Sequence, residues 1–445
     1  MRRLATVSTF LRVMGAIYVA AFLSFGVQAA GLVGSRGILP MGEYLDAVTR
    51  ATGAWRFWYA PTVLWASAGD GALAAVWILG TFCGLVAVAG WRQRWLLAAC
   101  WVLWLSLCAV GQDFLSFQWD ILLLETGFLS IFASEALPVV WLFRALIFRL
   151  MFLSGVVKLT SGDLAWRGLT ALKYHYETQP LPTPLAWWMH QLPDAAQRVS
   201  TAAVFAIELV VPLLFFAPRR FRVVGAWLTI GFQTLILLTG NYAYFNWLTI
   251  ALCLWLFIEP ANRKVTWGTG VLAAVIGTLG LMTVLEAVGL PLPEPAVGLM
   301  GRLEPLHLVS GYGLFAVMTT TRPEIVVEGS NDGETWQAYE FRDKPGDLRR
   351  APPIVAPHQP RLDWQMWFAA LGTAQQNRWF VQFVERLLRG EPSVLKLLAR
   401  DPFAGSPPKY IRARTFEYHF THFGEPGWWK REEAGTYLGA VSLRQ

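Results

Sequence analysis

Residues 71–112 read GALAAVWILGTFCGLVAVAG-WRQR-WLLAACWVLWLSLCAVGQ. Two apolar runs stand back to back, and the only charges in the stretch are Arg92 and Arg94 between them. A helix needs about 20 mainly apolar residues to cross a bilayer. Each run reaches that length, so the stretch predicts a membrane-spanning helical hairpin. Arginines in a short loop mark its cytoplasmic side.

The rest of the chain has the same character. Of 445 residues, 55% are hydrophobic and 15% charged, with a mean hydropathy of +0.41. A soluble domain carries about 25% charged residues. The deficit argues against a cytosolic globular enzyme and against disorder. The net charge of +7 is spread through short loops rather than gathered on one face or tail, which argues against a nucleic-acid partner. The 23 Trp and 28 Phe suit a protein with many rings at the bilayer interface. Cys83, Cys100, Cys108 and Cys253 all lie in apolar runs without a CxxC, which excludes thiol–disulfide exchange outside the membrane and a cysteine zinc site. Arginine-rich, lysine-poor usage with no N-glycosylation sequon leans towards a bacterial source.

Clear spans are predicted at 13–35, 71–90, 95–112, 201–217, 223–240, 243–258 and 265–290. The first could also be read as a signal peptide, but its apolar run is long for that role. Two further segments carry charges: 114–134 holds Asp120 and Glu125, and 138–157 holds Arg144 and Arg149. The expected fold is therefore an α-helical polytopic bundle of about nine spans, seven if both charged segments are re-entrant, with a C-terminal extracytoplasmic α+β domain. Arg2, Arg3 and Arg12, then Arg92 and Arg94, Arg219, Arg220 and Arg222, and Arg263 with Lys264 all fall on one side. That side is the cytoplasm, and the tail lies outside.

The expected division is a membrane part, 1–300, with outside loops 36–70 and 158–198, a connector, 301–321, and a tail, 322–445. Within the tail, 324–328 and 335–341 read as a hairpin around Ser330-Asn331-Asp332-Gly333. Residues 349–360 are Pro-rich and irregular. Residues 375–389 form an amphipathic helix with Trp379, Phe380, Phe383, Val384, Leu387 and Leu388 on one stripe, followed by a short helix from Pro392. Residues 409–421 form a strand with Tyr410, Arg412, Arg414, Phe416, Tyr418 and Phe420 on one face.

The chemistry-bearing residues are sparse. Asp120 and Glu125 sit about 140° apart round a helix, so paired-carboxylate catalysis is not supported. Arg144 and Lys158 project within about 40° of each other and so face one cavity if the helix is straight. A charge in lipid costs about 2.5–3.5 kcal/mol or more, so these groups must pair or meet water. The plain expectation is structural ion pairs, Asp120 or Glu125 with Arg144 or Arg149, joined by Glu208 if it faces inward. In the outside loop, His175 and Glu177 are candidates, with His175 the histidine expected near a carboxylate. His419 and His422 near Glu417 and Glu425 make at most a weak metal pattern, so no metal or cofactor is expected. The absence of a GxSxG nucleophile elbow argues against a lipase.

Longer motifs carry a resemblance. They are Gln118-Trp119-Asp120-Ile121-Leu122-Leu123-Leu124-Glu125, RLMFLSGVVKLTSGD at 149–163 and LTALKYHYETQPLPTPLAWWMHQLP at 169–193. Later come Asn241-Tyr242-Ala243-Tyr244-Phe245-Asn246, EGSNDGETW at 328–336 and PPKYIRARTFEYHFT at 407–421. Together these resemble the lipase maturation factor family, whose animal members sit in the endoplasmic reticulum membrane. The resemblance implies help in the folding or assembly of secreted lipases or other exported clients, with no catalytic residues to carry over. For a bacterial member it implies the inner membrane and a periplasmic tail. A more distant likeness to the vitamin K-dependent carboxylase implies the alternative: an enzyme acting on a small or lipidic substrate in a polar bundle cavity. On the client reading, Trp428 and Trp429 are surface candidates, because adjacent strand residues cannot both enter one core.

Overall fold

The computed structural model describes residues 6–261, 265–403 and 406–443. Arg2, Arg3, Arg263 and Lys264 lie outside the described residues. Seven helices among these are long and apolar enough to cross a bilayer: Val7–Val33, Asp70–Ala89, Gln93–Val110, Leu137–Thr160, Asp194–Phe216, Arg219–Thr239 and Trp267–Ala287.

These are not the seven expected. Leu137–Thr160, with Arg144 and Arg149, is a full-length helix rather than a re-entrant segment. The other charged segment shortens to Gln118–Ile131, and the clean run at 243–258 shortens to Phe245–Phe257. At about 1.5 Å per residue each covers only about 20 Å of a core about 30 Å thick. Both run between the same two ends of the bundle as their longer neighbours. Both are also mostly buried by those neighbours, so their backbone ends meet protein instead of lipid.

The first two long helices touch backbone to backbone. A Cβ on Gly15 would lie 2.9 Å from Gly84 O, and one on Gly84 would lie 3.0 Å from Gly15 O. Small residues permit such close packing where lipid offers no hydrophobic drive.

One end of the bundle gathers the described arginines. Arg12 donates to Val88 O, and Arg222 donates to Leu256 O and pairs with Glu259. Phe143 stacks on Trp255 beneath that end, and Phe10 meets both rings edge to face. The tail sits on the opposite end.

The tail sheet runs Gln337–Ala338, Pro323–Ser330, Tyr410–Phe420, Trp429–Val441, all antiparallel. The expected hairpin is therefore only two pairs long, since Glu340–Phe341 leaves to pair with Leu398–Arg400. Arg378–Leu388 buries all six stripe residues, as its spacing requires. The strand at 410–420 keeps its alternation, pairing with Pro323–Ser330 without a register shift, but burial changes sides along it. Ile411 and Ala413 are buried first, and Phe416, Tyr418 and Phe420 afterwards. The first half is covered on the side of Ile411 and Ala413, and the second half on the opposite side, where Trp187, Leu348 and Trp429 pack.

Candidate functional site

The tail is seated on the bundle by the residues of the quoted motifs. Asp120, in Gln118–Ile131, receives both terminal nitrogens of Arg361 at 2.9 Å and the Tyr244 hydroxyl at 2.5 Å. Arg361 opens the tail helix Arg361–Ala370 and is fully buried. Asn241 donates to Pro353 O and accepts from the N–H groups of Val355 and Ala356. Gln28, in the first helix, donates to Gln359 O and accepts from Arg361 N–H, and Trp119 donates to Gln359 Oε1 at 2.6 Å. The irregular Pro-rich segment thus finds its backbone partners on the first membrane helix and on the loop between Arg219–Thr239 and Phe245–Phe257, as buried peptide groups must.

A second seam joins the outside loop to the tail. Arg322 donates to the carbonyls of Glu177, Gln179 and Pro180, and pairs at 2.9 Å with Glu324, which also pairs with Lys344. Burial pulls the Arg322 pKa down, against the upward pull of Glu324. Glu177 accepts the Phe420 N–H at 2.6 Å and lies 3.2 Å from His419 Nδ1 and 3.7 Å from His190 Nε2.

Several expectations need correction. Glu125 pairs with Arg149, and it also accepts from the Tyr312 hydroxyl at 2.6 Å. Asp120, however, pairs with Arg361 and not with an arginine of the bundle. Arg144 has no carboxylate in this set. It caps Trp255 O and Ile258 O near the arginine end. It therefore shares no cavity with Lys158, fourteen residues along the same helix and about 21 Å away. Lys158 pairs with Glu208 beside an internal cavity, without Asp120, Glu125 or Arg144. Glu177 meets His190 and His419, while His175 turns away to Tyr242, 3.3 Å from its hydroxyl. Glu417 takes the Arg322 N–H and Glu425 the His422 N–H. Among the described residues, no three potential ligands gather round a metal position.

Trp429 is 3% exposed, against Tyr418 and Phe420 in the tail's own core, so it has no surface for a client. Trp428, in the bend just before the strand Trp429–Val441, is only half-buried and packs at the edge of the same cluster. Its ring lies 5.5 Å from that of Trp187 in the outside-loop helix Pro184–His190. Trp187 also meets Phe423 at 5.2 Å, and Phe423 meets Trp188 at 5.2 Å. Loop and tail together build one aromatic patch, with Trp188 54% and Phe423 59% exposed. Sequence reasoning placed these rings in separate segments, quoted Asn241 and Tyr244 only within a motif, and missed Arg361 and Gln359. No local spacing links them.

The chain matches the family model "Lipase maturation factor transmembrane domain" over residues 5–263 and "Lipase maturation factor C-terminal domain" over 308–439. The chain belongs to the lipase maturation factor family. Human lipase maturation factor 2 is 37% identical over 582 aligned positions, which cover 98% of this chain and 82% of that protein. Lipase maturation factor 1 of Bos taurus is 36% identical over 494, covering 97% and 88%. No solved structure matches. As a lipase maturation factor-like, multi-pass membrane protein, the chain has both the helical membrane part and the tail of the family.

One histidine gives this part a pH signature. Burial, then the nearby Lys158, pull the His175 pKa down to about 4. An unfolded histidine titrates near 6.5, so between about pH 6.5 and 4 the unfolded chain binds a proton that the native one refuses. This stability is complete above pH 6.5 and is lost as pH falls. At pH 5 the loss is on the order of 2 kcal/mol. Asp363, raised by burial to about 6, acts in the opposite sense. The measurement is therefore a difference: from pH 7 to 5 in detergent, the wild type should lose more melting temperature than His175→Asn. Parallel curves would contradict it.

Proposed function

We propose that the chain assists the folding or assembly of an exported lipase or a similar exported enzyme, and that the client meets the aromatic patch of Trp187, Trp188, Phe423 and Trp428. The patch carries the reading. Exposed contiguous aromatic surface is uncommon on a protein without a partner, and aromatic rings are enriched at interface cores. Its position at the tail end suits a client outside the cytoplasm. The arginine end faces the cytoplasm by the positive-inside rule, which leaves the tail in the periplasm, or in the endoplasmic reticulum lumen of a eukaryotic cell.

The test is co-expression of a secreted lipase with the wild type or with the Trp188→Ala/Phe423→Ala variant. Both rings are more than half exposed, so the variant should reach the membrane at normal levels. Loss of two interface anchors should cut secreted lipase activity about tenfold or more. Undiminished activity, or a phosphatase reporter after Gln445 that is silent outside the cytoplasm, would remove the reading.

A further inference from the structure

Below the two seams lies a cavity of about 260 Å³ between the Leu137–Thr160, Asp194–Phe216 and Arg219–Thr239 helices. Its walls are apolar, with Met151, Val204 and Phe232 among them. Its mouth is edged by Leu185 and Leu235, 38% and 59% exposed on the surface of the bundle, and Leu235 belongs to a membrane helix. Phe315 and Tyr242, whose rings meet edge to face at 5.8 Å, partition it from a larger cleft under the tail.

The inner end is polar, and the sequence builds it deliberately. Pro212 cannot donate a backbone hydrogen bond to the carbonyl of Glu208, four residues earlier. The helix widens there into a π turn, Ala206–Val210, of the kind that recurs at functional sites. That turn carries Glu208, which is 6% exposed. Lys158 Nζ donates to Ser154 O and, at 3.0 Å, to Glu208 Oε1. Glu208 Oε2 lies 2.9 Å from the same nitrogen, so the ammonium's three hydrogens are accounted for, while the carboxylate keeps lone pairs free to accept. On the opposite wall, the Tyr242 hydroxyl gives its proton to Gln179 Oε1, so His175 Nε2 carries the hydrogen facing Tyr242 and Nδ1 is left as an acceptor.

We propose that this cavity binds a neutral, hydroxyl-bearing amphiphile of the bilayer. One acyl chain enters between the Asp194–Phe216 and Arg219–Thr239 helices, and the head hydroxyl donates to Glu208 or His175. The polar end calls for a donor, because Lys158 is fully engaged and the capacity left there is the lone pairs of Glu208 and of His175 Nδ1. It calls for a neutral head, because Lys158 and Glu208 already cancel and a third buried charge would be unpaired. The volume, about 260 Å³, lies just below the range for small-molecule pockets, about 300–1,000 Å³, and so suits one chain rather than a whole two-chain lipid. This site is separate from the aromatic patch and does not rest on the client reading.

The test uses the full chain in phosphatidylcholine nanodiscs with a diazirine-bearing monoacylglycerol. A fatty acid with the same chain and diazirine serves as the carboxylate control. Monoacylglycerol should label residues of the 194–239 region, and excess unlabelled monoacylglycerol should compete it away. Val204→Trp, which fills the cavity, should lower labelling about tenfold, the equivalent of about 1.4 kcal/mol. Should that variant melt early, Ala203→Trp at the mouth makes the same test from an exposed position. Labelling unchanged in a variant that melts normally, or spread evenly over the lipid-facing helices, would overturn the site. Equal labelling by the fatty acid would overturn the neutral hydroxyl head.

Discussion

Arg361→Ala should be among the most damaging single substitutions in this chain, although it lies far from any predicted span. Its guanidinium makes a two-pronged pair with Asp120, and one nitrogen also donates to Phe114 O at 2.5 Å. Both side chains of the pair are fully buried. Truncating the arginine leaves a carboxylate in the protein interior with only the Tyr244 hydroxyl to meet it. Breaking a buried pair from one side costs about 3–5 kcal/mol. A folded protein has about 5–15 kcal/mol in all, so this is a large fraction. The tail should come loose from the bundle, with a lowered melting temperature in detergent and rapid proteolysis after residue 322. Asp120→Leu/Arg361→Met should restore most of the loss, since replacing both charges by apolar groups is close to neutral or stabilising. A single variant that melts like the wild type would show that the pair does not hold the seam.

This pair also marks where local reading of the sequence stops. Apolar runs gave the membrane helices because span length and composition are local properties. The stripe in Arg378–Leu388 was legible for the same reason: 3.6-residue periodicity is visible within eleven residues. Phe245–Phe257 misled, because its composition is that of a span while its length is set by Tyr244 at one end and the Ile258-Glu259-Pro260 exit at the other. Trp429–Val441 escaped notice because this edge strand, mostly exposed, has no alternation to read. The change of covered side along Tyr410–Phe420 is likewise set by what packs on the strand and not by its own alternation. For the ion pairs, the need for a partner followed from desolvation cost, and its identity did not. Asp120 finds its arginine 241 positions later. Glu125 finds Arg149 on the next long helix, within the set foreseen.

The second large effect is expected at that remaining pair, and it should separate three arginines that look alike in sequence. Glu125 and Arg149 are both buried. The carboxylate also takes the Tyr312 hydroxyl and, at 3.2 Å, the Ser310 N–H, while Arg149 Nε donates to Ser310 O. One ion pair thus joins Gln118–Ile131, Leu137–Thr160 and the connector into the tail. Glu125→Ala leaves a buried guanidinium without its counter-charge, with only Ser310 O and Tyr312 to meet it, again at about 3–5 kcal/mol. Arg144→Met is milder. It removes a cation that serves two carbonyls, Trp255 O and Ile258 O, and unsatisfied buried acceptors cost about 1–3 kcal/mol. Arg222 differs again, because its loss strands one closely bonded carbonyl, Leu256 O, and its carboxylate partner Glu259 is 45% exposed, where water can replace the arginine. The order of destabilisation in detergent should therefore run Glu125→Ala, then Arg144→Met, then Arg222→Met, with Glu125→Leu/Arg149→Met recovering most of the first. A double variant no better than Glu125→Ala alone would mean that the hydrogen bonds to Tyr312 and Ser310, rather than the compensation of charge, hold the three segments together.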